Sequence, residues 1–234
     1  MPLQAQRQLA AIMFTDMVGY TALMEENEQL ALQKRDRSKT IIENSLSKFD
    51  GKLLQYYGDG TLSVFSSAVN AIRGAIEMQT LFLSDKPKVD VRIGIHIGDV
   101  LMDDKGIYGD SVNVASRLET LAAPGSIFIS EKIYDDVKNH EGISAKELGY
   151  FELKNVTNPM KVYAISNSGV IVPSREEVKG KLKENINSIA VLPFASLSSD
   201  PENEFFCDGM TEELINVLAD HDDDFAELYL EDED

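Results

Sequence analysis

The stretch LAAIMFTDMVG, residues 9–19, decides the fold. It is a short apolar run of strand length, stopped by Asp16 and Gly19. Apolar residues at consecutive rather than alternate positions predict a strand covered on both faces, and hence a central one. Downstream, Leu23, Leu30, Leu32, Ile41, Ile42, Leu46 and Phe49 recur at mixed three and four spacings with charges between them, which predicts a long helical region over 21–49. Asp50-Gly51 ends it. KLLQYY, GDG and TLSVF then read as strand, tight turn and strand, with Asp59 at the tip of the hairpin.

Helical spacing returns over 67–83, and strand alternation over 89–102 in VDVRIGIHIGDVLM. The segment 110–123 reads as a helix terminated by Pro124-Gly125, ahead of the strand SIFIS. Two further strand-like runs, 150–153 and 161–165, close the domain. The order β-α-β-β-α-β with additions predicts an α+β fold: a ferredoxin-like split βαβ layout, an antiparallel sheet with helices on one face. In that layout the first strand and the hairpin are neighbours, so Asp16 and Asp59 can meet.

The chain has 234 residues, 43% of them hydrophobic, which is ordinary for one globular domain plus an appendage. Its net charge of −18 is unevenly placed: 16 of the 40 acids and none of the 22 bases follow Lys183. The preceding part, with 24 acids against 22 bases, is near neutral. That balance argues against nucleic acid or an anionic membrane as its partner. The start MPLQAQRQ lacks the apolar stretch of a secretory signal, and no long apolar run predicts membrane insertion, so a cytoplasmic location is expected. The single Cys207 offers neither an intramolecular disulfide nor a cysteine metal site.

Two lone carboxylates at strand ends can clamp divalent ions on a polyphosphate, because magnesium is usually held by one or two carboxylates plus substrate phosphates. Each also has a plain structural reading, Asp16 as a strand-end or capping residue and Asp59 as a turn residue. Residues Met17, Val18, Gly19, Tyr20 and Thr21 lead from strand to helix, where backbone N–H groups can cradle phosphates. Asn113 and Arg117 lie four apart in the 110–123 helix and so share one face. That face could equally be a solvated polar one. His96 reads as a packed or hydrogen-bonded sheet residue, since no second His or Cys accompanies it. Tyr56 and Tyr57 read as packing anchors of the hairpin, with a place at the border of a base pocket as the alternative for one of them.

FTDMVGYT (14–21), YYGDGTLSVF (56–65) and YGDSVNVASRLE (108–119) together resemble the catalytic core of class III nucleotidyl cyclases, over roughly residues 8–165. The resemblance implies conversion of a nucleoside triphosphate, ATP by default, to a 3′,5′-cyclic nucleotide and pyrophosphate. It assigns two Mg²⁺ or Mn²⁺ ions to Asp16 and Asp59, ribose and α-phosphate contacts to Asn113 and Arg117, and a triphosphate contact to Lys154. A strand-edge role for Lys154 is the alternative. It further implies a homodimer in which each site takes its metal carboxylates from one chain and its Asn/Arg helix from the other.

Base recognition departs from the pattern. Where an adenylate cyclase carries Lys and Asp, this chain has Gln55 and Gly106. Lys plus Asp complements the acceptor and donor of adenine; Gln55 supplies both functions without charge, and Gly106 supplies no side chain. Three outcomes are open: ATP turnover with relaxed selectivity, acceptance of another base including a pyrimidine, or weak nucleotide binding in a regulatory module. Neighbouring Asp103, Asp104 and Lys105 are the candidate substitutes.

Residues 166–186 read as a linker. Beyond it, 187–219 is similar to the opening strand, loop and helix of a TolB-like module, and 220–234 is an acidic tail. A strand and one helix cannot bury a core of their own.

Overall fold

In a computed structural model, residues 6–84, 86–103, 106–174, 177, 178, 191, 192, 194 and 201–220 are described. The chain divides into two compact units, Met1–Lys183 and Glu184–Asp234.

The first unit is built on one mixed sheet. Its strands are β1 (Gln6–Met17), β2 (Gly51–Tyr57), β3 (Gly60–Phe65), β4 (Val91–Asp103), β5 (Gly106–Tyr108), β6 (Ile127–Ser130), β7 (Ala145–Phe151) and β8 (Met160–Ile165). The sheet order is β2-β3-β1-β4-β6-β8-β7, with β5 paired to β4. The run that opens the sequence argument is therefore central, flanked antiparallel by β3 and β4. Its alternate residues go to opposite faces: Ala11 and Met13 into one core, Ala10 and Ile12 into the other.

Among the described residues this unit has five helices: α1 (Tyr20–Glu26), α2 (Glu28–Lys48), α3 (Ala68–Ser84), α4 (Asp110–Leu121) and α5 (Glu131–Val137). The face bearing Met13, Ile93, Ile95, Ile127 and Ile129 is covered by α2, α3 and α5 through Ile42, Leu46, Ile72, Met78, Phe82 and Ile133. Each of these fully buried side chains contributes about 1.5–3 kcal/mol.

Several local expectations change. The helical region 21–49 is two helices, because Asn27 leaves helical geometry (φ −152°) and its side chain accepts a hydrogen bond from the Leu30 N–H at 3.0 Å, capping α2. The sheet is not wholly antiparallel. β4 and β6 pair in parallel, as the α4 crossover between them requires. That same α4 lies against the opposite face from α2, α3 and α5, with Val114, Ala115 and Leu118 in the cores there. Gly94 and Gly98 in β4 make this close seat possible. A Cβ at Gly94 would come within 2.1 Å of the Glu119 backbone nitrogen, and one at Gly98 within 2.1 Å of Ser111 Oγ. β5 and α5 were not expected from the sequence. β5 is three residues long, and α5 is a helix of about two turns started by Ser130, whose hydroxyl caps the Ile133 N–H.

Part of the segment read as a linker packs on this unit. Ile171 N–H donates to the Gly125 carbonyl at 3.0 Å, Val170 joins one core and Val172 and Val178 the other. In the second unit, α6 (Pro201–Asp220) is the helix expected there, with Phe206, Met210, Leu214 and Val217 exposed at helical spacing. Most of the strand and loop expected before it, and the tail 221–234, lie outside the described residues. Among the described residues no helix is long and apolar enough to cross a membrane.

Candidate active site

The β1–β3 ladder sets the position of both carboxylates. Thr15 pairs with Thr61, their hydroxyls 2.8 Å apart and buried, so the tight turn Gly58-Asp59 lies beside the end of β1 at Asp16. Gly58 takes a positive φ of 61°. Gly60 allows the turn to lie flush: a Cβ there would sit 2.4 Å from the Thr15 carbonyl oxygen and 3.4 Å from Asp16 Oδ1. The turn thus brings Asp59 into the field of Asp16. Partial burial, and then the Asp16 charge, push the Asp59 carboxyl above its ordinary range, against stabilisation from its own N–H, the Met17 N–H and Arg92. Two like charges held together away from full hydration call for a cation. Among the described residues no three His, Cys, Asp or Glu side chains converge on a metal-sized position. The pair suits a hard divalent ion that keeps oxygen ligands from substrate and water.

Arg92, which the sequence reading did not single out, supplies a cation to this end of the sheet. It is the cross-strand partner of Asp16 in β4 and forms an ion pair with it. The same guanidinium lies 3.2 Å from Glu119 of α4 and donates to the Thr120 carbonyl at 3.4 Å. Glu119 is buried, and burial pushes its carboxyl up to about 7 although Arg92 acts to lower it. The 3.2 Å approach lacks hydrogen-bond alignment at Glu119 Oε1, which agrees with burial outweighing the pair. The signal that could have found Arg92 is register: once β1 and β4 are paired, it stands opposite Asp16.

His96 itself is buried, its Nδ1 2.8 Å from Ser130 Oγ, and burial followed by Lys132 lowers it to about 4. It is a packed, hydrogen-bonded sheet residue, as read from the sequence.

In the 17–21 turn, Gly19 has φ 74° and starts α1 without a side-chain cap. The Met17 N–H is directed to Asp59, and the Val18 N–H donates to the Asp90 carbonyl at 2.8 Å. Those two are committed internally, which reduces the expected cradle to Gly19, Tyr20 and Thr21, the N–H groups a helix start leaves without intrahelical partners.

Asn113 is exposed on α4 and Arg117 half-buried one turn later, the Arg117 Nε buried without a hydrogen-bond partner. Six residues of helix separate Asn113 from Glu119, so the two project roughly 120° apart around the axis. Glu119 turns to the chain's own Arg92. Asn113 turns to a cavity of about 400 Å³ that Lys132, Tyr150, Asn158 and Lys161 also line. Among the described residues no hydrogen bond or ion pair joins Asn113 or Arg117 to Asp16 or Asp59. Lys154 is exposed in the connection between β7 and β8, beyond the strand edge that the alternative reading gave it. Its neighbour Asn155 borders the same cavity.

The positions set against the base are the least supported. Gln55 is exposed in the edge strand β2, immediately after a register shift between Leu53 and Gln55. Gly106, at φ 151°, donates its N–H to Asp103 Oδ1 at 3.0 Å, so the Asp103 carboxylate closes the β4–β5 turn. Asp104 and Lys105 lie outside the described residues. Tyr57 stacks on Phe14 with ring centroids 6.2 Å apart. Tyr56 donates to Glu43, and burial followed by that hydrogen bond pushes its hydroxyl up to about 12. Both tyrosines are exposed, so the hairpin is tied by one ring contact and one hydrogen bond rather than by buried packing.

Comparison with known proteins agrees with this architecture. The family model described as adenylate and guanylate cyclase catalytic domain matches residues 3–167. A putative adenylate cyclase 3 of Rhizobium meliloti is 35% identical over 230 residues, covering 92% of this chain and 38% of that protein. The chain thus spans well under half the length of that relative. Among solved structures, an adenylate/guanylate cyclase/hydrolase from Silicibacter pomeroyi is 34% identical with a TM-score of 0.64, covering 69% of this chain and 98% of that one. The adenylyl cyclase CyaB from P. aeruginosa, 24% identical, shares the fold at a TM-score of 0.64 over 71% of this chain and 97% of its own. With the match spanning every strand of the sheet and all three motif segments, the chain belongs to the adenylate and guanylate cyclase catalytic domain family.

Proposed function

We propose that the protein is a nucleotidyl cyclase that converts ATP to a 3′,5′-cyclic nucleotide and pyrophosphate at sites shared between two copies of the chain. The observation that carries this reading is the pair Asp16 and Asp59, pressed together by the β1–β3 ladder at the end of the sheet. Asp16 and Asp59 would hold two Mg²⁺ or Mn²⁺ ions. When bound, these supply activation of the ribose 3′-hydroxyl and charge neutralisation on the leaving pyrophosphate.

The chain's own groups do the rest. The free N–H groups at Gly19, Tyr20 and Thr21 receive phosphate oxygens, and Lys154 adds positive charge near the triphosphate. Arg117 neutralises charge that grows on the α-phosphate as the 3′-oxygen bonds to phosphorus and the bond to the β-phosphate oxygen breaks; Asn113 orients the ribose. Among the described residues no hydrogen bond or ion pair joins Asn113 or Arg117 to their own chain's carboxylates, which favours a second copy as the source of the helix that completes each site. This supports a homodimer with two equivalent sites.

ATP is the substrate we favour, on the name borne by the relative at 35% identity. A second reading, relaxed or pyrimidine selectivity, is favoured by one observation: neither Gln55 nor Gly106 offers a charged, supported base contact. Purified protein given Mg²⁺ or Mn²⁺ and each of the four nucleoside triphosphates, with products read by mass spectrometry, decides between them. Cyclic AMP as the main product supports the proposal. Cyclic CMP or UMP as the main product contradicts the ATP assignment, and metal-dependent binding without turnover makes the chain a regulatory nucleotide-binding module.

A further inference from the structure

The reading above needs Asp16 as an open carboxylate, yet in this chain Arg92 already occupies it. Arg92 is held from three sides, by Asp16 across the β1–β4 ladder, by Glu119 at 3.2 Å and by the Thr120 carbonyl at 3.4 Å. Its Nε is buried with no partner. Glu119 has little freedom to leave, because α4 is seated backbone-to-backbone on Gly94, two residues beyond Arg92, at the level of the Glu119 nitrogen. The guanidinium therefore lies between a carboxylate at the sheet end and a buried carboxylate on the helix.

We propose that Arg92 is a resident counter-ion which a divalent metal displaces from Asp16, and that Glu119 is the positioning residue that receives it. The inference rests on reading Asp16 and Asp59 as the metal pair. A guanidinium and a hard dication compete for the same carboxylate lone pairs, so the metal must break the Arg92–Asp16 pair before it binds. Without Glu119 the displaced guanidinium would face a doubly charged ion with only the Thr120 carbonyl to accept its N–H groups. With Glu119 it moves from one carboxylate to another a few ångströms away, and the partly buried site stays near neutral. Metal affinity is thereby tied to α4, the helix that carries Asn113 and Arg117.

The test is Mn²⁺ binding to nucleotide-free protein at pH ~8, where carboxylates are ionised, followed by the electron paramagnetic resonance signal of the free ion. Arg92→Gln should tighten Mn²⁺ by about threefold to tenfold, and Glu119→Gln should weaken it by a similar factor. The double variant should match Arg92→Gln within about twofold, since Glu119 acts through Arg92. Unchanged Mn²⁺ affinity in both single variants would overturn the inference, as would an equal loss from Glu119→Gln when Arg92 is already absent. Asp16→Asn separates the layers. If it abolishes binding while the other variants change nothing, only the counter-ion role falls; if it too changes nothing, the metal-pair reading falls with it. Should Glu119→Gln fail to fold by circular dichroism, Glu119→Asp, which withdraws the carboxylate by one methylene, is expected to weaken Mn²⁺ in the same direction, and an unchanged affinity there overturns the proposal.

Discussion

The two ends of the proposed nucleotide site are built differently. The phosphate end, with Asp16, Asp59, Arg92 and Glu119, is fixed by two long antiparallel ladders and a helix seated on glycine. The base end, with Gln55 and Gly106, sits on an edge strand after a register shift and on a three-residue strand closed by Asp103. On the proposed reading, the general chemistry of phosphoryl transfer would rest on rigid, buried backbone, and the choice of base on elements that tolerate change. Selectivity should be easy to alter and turnover easy to destroy.

The largest effect is expected at the rigid end. Asp59→Ala or Arg117→Ala should each lower kcat by about a hundredfold or more while leaving the melting temperature near that of the parent. A small loss in kcat would place the chemistry elsewhere. Next is the seat of α4. Gly94→Ala puts a Cβ 2.1 Å from backbone, which only a shift of α4 relieves, so we expect destabilisation of about 3 kcal/mol in urea and loss of activity. The equivalent change at exposed Gly142, where a Cβ meets nothing within 4 Å, involves only the cost of its positive φ.

A smaller effect comes from Glu119. Its carboxyl, raised in the folded state from 4.5 to about 7, binds a proton more tightly folded than unfolded. Its stability contribution is therefore full below pH 4.5 and is lost as pH rises through about 7. Urea unfolding at pH ~5 and pH ~8 should show a decline in the parent that is shallower in Glu119→Gln, by on the order of 2 kcal/mol. Equal declines would mean that Glu119 does not titrate in this range. The smallest change is at the base end: Gln55→Lys should raise the preference for ATP over the other triphosphates by about tenfold, without altering stability. A selectivity that stays flat would remove Gln55 from the base pocket.

The same contrast explains what the sequence could show. β1 was legible because burial on both faces leaves a continuous apolar run, β3 from the tight GDG turn before it and β4 from its strand alternation, and the adjacency of Asp16 and Asp59 followed from the split βαβ order. The position of α4 on the opposite face was not, because what determines it is a pair of glycines in β4, Gly94 and Gly98, whose meaning appears only when a helix lies across them. Arg92 was hidden for a related reason. Its role depends on which residue stands across the ladder, and register is a property of two strands rather than one. The break at Asn27 was missed because a single capping side chain decided it, against an apolar spacing that runs on unchanged, and α5 because its seven residues, started by the Ser130 cap, are too few to show a spacing. The commitment of the Met17 and Val18 N–H groups likewise depends on partners distant in sequence.

Mixing inactive Asp59→Ala with inactive Arg117→Ala tests the shared site most directly. Random exchange of subunits should restore about a quarter of the parent activity, because half of the dimers are mixed and each of those has one site with all four side chains. Mixtures that stay inactive, with heterodimers verified by differential tagging, would contradict a site assembled from the carboxylates of one copy and the Asn113 and Arg117 helix of the other.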